Sequence, residues 1–202
     1  MVEMICKRSL EKGLNENDIQ ILAPMYKGEN GIDQFNILLQ NLFNPASEKK
    51  KETKYGDFTY RENDKVLQLV NDPENNVFNG DIGYVREVGM TKVGTRKKEI
   101  ITIDFDGILV EYGKEDLSNI RHAYAITIHK SQGSEFPHVI LPISKNYYKM
   151  LYNKLIYTGV SRAKKSLVII GEENAFLMSI HNDYSKNRKT SLKEKIVHNF
   201  TK

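Results

Sequence analysis

The sequence predicts an α/β fold: a parallel β-sheet covered by helices, with a small antiparallel β-barrel inserted into it. Near both ends of the chain, short apolar runs lack alternation, as strands buried on both faces do. Glycine turns and helical spacing follow these runs, which is typical of α/β units. The middle of the chain instead shows short β-rich runs between turn signals. We therefore assign residues 1–46 and 121–202 to the parallel-sheet domain and residues 47–120 to the barrel.

Length and composition exclude several classes of protein. The 202 residues are 40% hydrophobic and 28% charged, which excludes a wholly disordered chain and allows a substantial core. No apolar run approaches the roughly 18 residues that a membrane crossing needs, and the N-terminus lacks a signal peptide's apolar stretch. We expect a soluble, cytoplasmic protein without membrane contact. The single cysteine, Cys6, permits no internal disulfide and supports no zinc site.

The pattern of the N-terminal segment predicts a strand, a glycine loop and a helix. A run rich in branched apolar residues predicts a buried strand within Asp18–Gly28. After Gly31, apolar residues recur on one helical face until Asn44-Pro45 ends the pattern. These residues are Ile32, Phe35, Leu38, Leu39, Leu42 and Phe43. Residues 46–56 are almost entirely polar and charged, so we predict a domain boundary or mobile loop there.

The pattern of the middle segment predicts an antiparallel barrel of four or five short strands. Two of its β-rich runs, Ile100–Phe105 and Ile108–Tyr112, flank Asp106-Gly107, and this two-residue turn is a strong hairpin signal. Further runs occur at Lys65–Val70 and Gly83–Val88. Several short strands within about sixty residues are typical of a small closed sheet.

The α/β pattern returns after residue 120. Strands are predicted at Ala123–Ile128, Val139–Ile143 and Leu167–Ile170, the last two buried, with a glycine turn at Gly133. Helical spacing extends from Tyr147 to Arg162. The polar, basic tail from Asn182 allows one more amphipathic helix, with its apolar positions at Leu192, Ile196 and Phe200.

The sequence lacks the usual phosphate cradle of an ATP-binding α/β domain. In that cradle, G-x-x-x-x-G-K-[ST], backbone amides and a lysine hold the phosphates. The nearest match, Gly107 to Lys114, has five residues between its glycines, and Glu115 stands where a hydroxyl is needed. The apolar run that ends at Asp104 is similar to a strand that holds a metal ion. The Asp106-Gly107 turn that follows makes an ordinary hairpin strand the better interpretation. We therefore predict no metal site and no unaided ATP binding.

Four segments resemble those of superfamily 1 helicases. Residues 123–141 (AYAITIHKSQGSEFPHVIL) closely resemble motif V, and residues 155–171 (LIYTGVSRAKKSLVIIG) resemble motif VI. Residues 21–32 (ILAPMYKGENGI) are similar to motif IV of the RecD-type (superfamily 1B, exodeoxyribonuclease V alpha-like) branch. The middle segment, with DKV at 64–66 and NGDIG at 79–83, resembles the Src-homology-like barrel of those helicases. The resemblance implies a RecA-like domain, related to P-loop NTPases but lacking the P-loop itself.

The resemblance also implies a nucleotide site. The motif VI match assigns to Arg162 the arginine finger that neutralises charge on the transferred phosphoryl group. Gly133 and Glu135 match motif V positions near the nucleotide, and Lys27 matches a basic position that faces phosphates. Three of these four residues have a simpler alternative: Arg162 as an offset to a helix dipole, Glu135 as a surface carboxylate, and Lys27 as a loop cation.

A second set of motif V positions implies contacts with DNA. Thr127, His129, Lys130 and Ser131 match the part that faces single-stranded DNA or couples it to the ATP cleft. Hydroxyls and a lysine can bind phosphates without reading sequence, as a motor on DNA requires. The imidazole of His129 fits bracing of the loop as well as contact with DNA.

The implied function is that of the C-terminal motor half of an ATP-dependent DNA helicase, moving 5′ to 3′ as in that branch. ATP and Mg²⁺ would bind the complete protein, not tightly this chain alone. The expected partners are single-stranded DNA, duplex junctions, a missing N-terminal RecA-like domain, and nuclease or repair subunits. Because the chain begins almost at the first strand of the second RecA-like domain, we interpret it as a piece of a helicase. The alternative is a non-catalytic DNA-binding or protein-docking module.

Overall fold

A computed structural model describes residues 1–28, 30–93, 96–183 and 191, with only the backbone at 92, 93, 96 and 97. The four helices are α1 (Val2–Glu11), α2 (Ile32–Phe43), α3 (Asn153–Val160) and α4 (Glu173–His181). The eleven strands of these residues are β1 (Ile19–Ala23), β2 (Glu52–Tyr55), β3 (Phe58–Arg61), β4 (Lys65–Gln68), β5 (Ile82–Val93), β6 (Arg96–Phe105), β7 (Ile108–Gly113), β8 (Ile120–His122), β9 (Ala125–Thr127), β10 (Phe136–Ile143) and β11 (Ala163–Gly171). The predicted tail helix lies outside the described residues.

A four-stranded parallel sheet, in the order β11-β10-β1-β9, forms one part of the molecule. All five residues of β1 are buried, because helices cover both faces of the sheet. Ile19, Ile21 and Ala23 pack with α1 and α2. On the other face, Leu22 belongs to a core that includes α3 and α4. The predicted α/β arrangement, with β1 followed by a helix, is confirmed.

An antiparallel sheet in the order β7-β6-β5-β4-β8 forms the second part. It encloses its own apolar core. The predicted Asp106-Gly107 hairpin is confirmed, since Phe105 pairs with Ile108 on either side of the turn. The pairing continues through β8, so the proposed division at residue 120 falls inside a strand of this sheet.

Several predicted elements differ from the structure. Four of the eleven residues predicted as a boundary or mobile loop at 46–56 form a strand: β2 pairs with β3 in a hairpin, and the methyl-bearing side chain of Thr53 is buried within it. The helix predicted from Tyr147 is only α3, because Tyr152 just before it has an extended backbone. The predicted buried strand near Leu167 is β11, which is the outermost strand of the sheet among the described residues and pairs there with β10, and Ile169 is 38% exposed. Two helices, α1 and α4, were not predicted.

A buried carboxylate joins the two parts of the molecule. Asp64, between β3 and β4, is 0% exposed. It accepts hydrogen bonds from Gln40 Nε2 (2.6 Å), Asn44 Nδ2 (2.7 Å), the backbone N–H of Arg61 (2.8 Å), the Tyr124 hydroxyl (2.9 Å) and His122 Nε2 (3.2 Å). These donors come from α2 and the residue that follows it, from β3, from β8 of the antiparallel sheet and from the segment leading into β9. The network therefore fixes the antiparallel sheet against the parallel one. Among the described residues, no helix is both long and apolar enough to span a bilayer.

Candidate nucleotide and DNA site

The motif V segment runs from one edge of the parallel sheet to the other. Thr127 ends β9 level with Ala23 of β1, which is the carboxyl edge of the sheet. A single 3₁₀ turn over Ile128–Ser131 follows, and the chain then enters β10 at Phe136. Phe136 pairs with Ala163, so it lies at the amino edge. The candidate residues therefore form two groups, one at each edge.

Arg162 lies at the amino edge, directly after α3, and its guanidinium is held by three oxygens. Its Nε donates to the Thr158 carbonyl at 3.1 Å, Nη1 to the Ser134 carbonyl at 3.1 Å and Nη2 to Ser161 Oγ at 3.0 Å. A guanidinium has five N–H groups, so two remain for an anion. No carboxylate among the described residues lies within 4 Å of it. Arg162 thus both caps α3 and keeps its charge available.

Gly133 and Glu135 lie beside Arg162. Gly133 has a φ of +88°, which glycine adopts without strain, and no other atom crowds the position of a Cβ there. The Glu135 carboxylate forms a 3.0 Å ion pair with Lys164 Nζ, and both side chains are more than half exposed. The structure therefore brings three of the four predicted nucleotide residues together.

Lys27 is not brought to this group. It follows the carboxyl end of β1, whereas β10 and β11 begin at the amino edge near Arg162. At about 3.3 Å per residue, the six residues from Phe136 to Pro142 separate the two edges by about 20 Å. Lys27 is exposed on its loop and lies at the same edge as Thr127.

The four predicted DNA residues lie close together at the carboxyl edge but differ in exposure. Thr127 Oγ1 accepts a hydrogen bond from the Lys130 N–H at 3.1 Å, and Ser131 Oγ donates to the Ile128 carbonyl at 2.8 Å. Both hydroxyls are buried and shape the 3₁₀ turn. His129 and Lys130 instead point outward. Only these two of the four side chains are presented to a ligand in this conformation.

The contacts of three residues around these groups were not predicted from the sequence. Lys130 Nζ donates to Asn79 Oδ1, on the turn between β4 and β5 of the antiparallel sheet. Tyr152 places its hydroxyl 3.4 Å from His129 Nε2. Lys164 pairs with Glu135, as described above. Asn79 and Lys164 lie in segments that resemble those of superfamily 1 helicases, but only tertiary packing shows what they contact.

Within the described part of the chain, no three His, Cys, Asp or Glu side chains are grouped so that they could hold a metal ion. Burial raises the pKa of Cys6 to about 12 and lowers that of Lys65 to about 8. Lys65 Nζ lies 5.8 Å from the centroid of the Phe136 ring, and Phe136 follows Glu135 in the sequence.

Two family descriptions match separate parts of the chain. The SH3 domain of ATP-dependent RecD-like DNA helicases matches residues 35–105. The UvrD-like helicase C-terminal domain matches residues 122–170. The two matches follow each other along the chain, and the second contains all the candidate residues except Lys27.

Individual proteins are similar over most of this chain. The ATP-dependent RecD2 DNA helicase of Deinococcus radiodurans is 34% identical over 88% of this chain, which covers 23% of its own length. The RecBCD enzyme subunit RecD of Buchnera aphidicola is 32% identical over 91% of this chain and 30% of its length. A solved structure of Pif1 helicases at forked duplex DNA matches 92% of this chain and 45% of that chain, with 16% identity and a TM-score of 0.49.

The chain thus spans less than a third of the length of these two curated relatives. It belongs to the RecD-like helicase family, in which it corresponds to the SH3 domain followed by the UvrD-like C-terminal domain.

Proposed function

We propose that this chain is the C-terminal motor half of an ATP-dependent DNA helicase, whose ATP site is completed by an N-terminal RecA-like domain. The observation that carries the proposal is the state of Arg162. Its guanidinium is fixed by the end of α3, lies beside Gly133 and Glu135, and has no carboxylate partner among the described residues. A positioned cation with free donors is what a transferred phosphoryl group requires.

The residues at the amino edge fit a nucleotide bound from outside the sheet. Arg162 would neutralise charge on the terminal phosphate. The open space at Gly133 allows phosphate or ribose to approach the backbone closely. The exposed Glu135 carboxylate would accept a sugar hydroxyl. The phosphate-binding lysine and the residues that hold Mg²⁺ would come from the N-terminal domain, because this chain has no phosphate loop. We therefore expect no tight ATP binding by this chain alone.

The carboxyl edge would contact single-stranded DNA. His129 and Lys130 present polar and cationic groups that suit phosphates of any sequence. The contact between Lys130 and Asn79 places a turn of the antiparallel sheet next to them. Both parts of the molecule would then face the same strand, and the antiparallel sheet would guide the duplex junction. Since one relative is named as a RecBCD subunit, nuclease or repair subunits are further proposed partners.

The proposal is tested by ATP hydrolysis of the protein at its native length, with and without single-stranded DNA. We expect hydrolysis that DNA stimulates, and none from the 202-residue chain by itself. A peptide map should also show a phosphate-loop sequence upstream of Met1. Equal hydrolysis by the 202-residue chain, or none by the native protein with DNA, would contradict the proposal.

A further inference from the structure

The pairing of β10 and β11 is irregular next to the candidate nucleotide group. Phe136 pairs with Ala163, and His138 pairs with Ser166. Two steps along β10 therefore oppose three steps along β11, so β11 carries an extra residue at Lys164 or Lys165. Such β-bulges redirect side chains and are enriched near active sites.

The side chain of Lys164 is directed at the candidate nucleotide group. Its Nζ lies 3.0 Å from Glu135 Oε2, with 57% of the Lys164 side chain and 55% of the Glu135 side chain exposed. The preceding residue of that loop, Ser134, accepts the hydrogen bond from Arg162 Nη1. Two cations, Arg162 and Lys164, therefore flank the loop that contains Ser134 and Glu135. The Glu135 carboxylate is bound to Lys164. Ion pairs this exposed are weak and exchange readily in water.

We propose that Lys164 is a second phosphate-binding cation of the nucleotide site, paired with Glu135 until a nucleotide binds. The inference rests on the proposed function. If Glu135 turns to a ribose hydroxyl, Lys164 loses its partner next to the phosphates that Arg162 meets. A lysine ammonium binds phosphate as a point charge with three donors, which complements the planar guanidinium of Arg162. Lys165, although adjacent, forms no ion pair with any residue that the structure describes.

The test measures steady-state ATP hydrolysis of the native-length protein carrying Lys164→Ala, Lys164→Arg or, as the matched control, Lys165→Ala. We expect Lys164→Ala to raise KM for ATP by about tenfold, as for loss of one hydrogen bond to a charged group, with a smaller change in kcat. Lys164→Arg should restore KM to within about threefold, because the charge is retained. Lys165→Ala should leave KM within about twofold.

The same assay separates failure of this inference from failure of the proposed function. If Lys164→Ala and Lys165→Ala give the same KM while Arg162→Ala abolishes hydrolysis, Lys164 is only a surface ion-pair partner and the inference is wrong. If Arg162→Ala hydrolyses ATP like the unaltered protein, the proposed nucleotide site itself is wrong. Since Lys164 is exposed, unfolding of its variants is not expected, and their thermal midpoints should match that of Lys165→Ala.

Discussion

One set of the hydrogen bonds that join the two sheets depends on a single residue, Asp64. Burial alone would raise its pKa, but hydrogen bonds from His122, Asn44 and the Arg61 backbone outweigh burial and hold the pKa below its usual range. An ionised carboxylate only accepts hydrogen bonds, so His122 Nε2 must carry its proton. Because five groups donate to this buried carboxylate, a side chain that itself donates a hydrogen bond does not fit in place of Asp64.

We predict that Asp64→Asn destabilises the fold by about 3 kcal/mol. The new amide nitrogen faces groups that all donate, so at least two hydrogen bonds to a charge are lost. The measurement is chemical denaturation of the chain. The matched control is Glu74→Gln, an exposed acid for which a change of less than about 0.5 kcal/mol is expected. Equal midpoints for the two variants would show that the network contributes nothing.

The same residue sets a dependence of stability on pH. Its pKa is lower in the folded chain than in the unfolded one, so its contribution is complete above about pH 4, the ordinary aspartate value. The contribution is lost as pH falls from there through the folded pKa. The difference in stability between the unaltered chain and Asp64→Asn should therefore shrink with acidification in this range.

At the residue scale, the motif matches predicted part of the spatial grouping of the candidate residues. The motif match predicted Gly133, Glu135 and Arg162 as a group, and the fold brings them together. Lys27 lies at the opposite edge, because β1 runs parallel to β10 and its loop follows the far end. The partners of Asp64 come from separated segments of the chain, so no local pattern could indicate its burial.

At the element scale, β11 shows what periodicity can and cannot predict. Its apolar residues predicted a strand correctly. They did not show that β11 is the outermost strand of the sheet. Among the described residues, no strand pairs with its outer side, so residues such as Ile169 are exposed. The bulge at Lys164 or Lys165 could not be predicted either, because register depends on the partner strand. Helix α1 was missed although Val2, Ile5, Cys6 and Leu10 recur at helical spacing and pack into one core.

The end of β11 depends on a glycine. Gly171 has a φ of +119°, and an added Cβ would lie 1.9 Å from the carbonyl oxygen of Ile143. We predict that Gly171→Ala costs about 3 kcal/mol, the sum of backbone strain and overpacking. Gly13 is the control: it too has a positive φ, but no atom lies near its Cβ position, so Gly13→Ala should cost only about 1 kcal/mol. Thermal or chemical unfolding distinguishes the two, and equal losses would contradict the steric argument.

At the scale of the whole molecule, polar contacts attach the antiparallel sheet to the parallel-sheet part at several places. The Asp64 network, the contact between Lys130 and Asn79, and the ion pair between Arg121 and Asp33 are three of them. The sequence predicted the discontinuous arrangement from the change in pattern around residues 57 and 120. It could not predict these attachments, since each joins side chains from distant segments. They support movement of the two sheets as one unit during the proposed hydrolysis of ATP.

The central claim is that Arg162 completes an ATP site shared with another domain. The most direct measurement is DNA-stimulated ATP hydrolysis by the native-length protein carrying Arg162→Ala. The matched control is Arg8→Ala, an exposed arginine on α1. We predict that kcat falls by about 10³ or more for Arg162→Ala, as for other arginine fingers, and stays within about twofold for Arg8→Ala. A loss of less than about tenfold, with the thermal midpoint unchanged, would contradict the account.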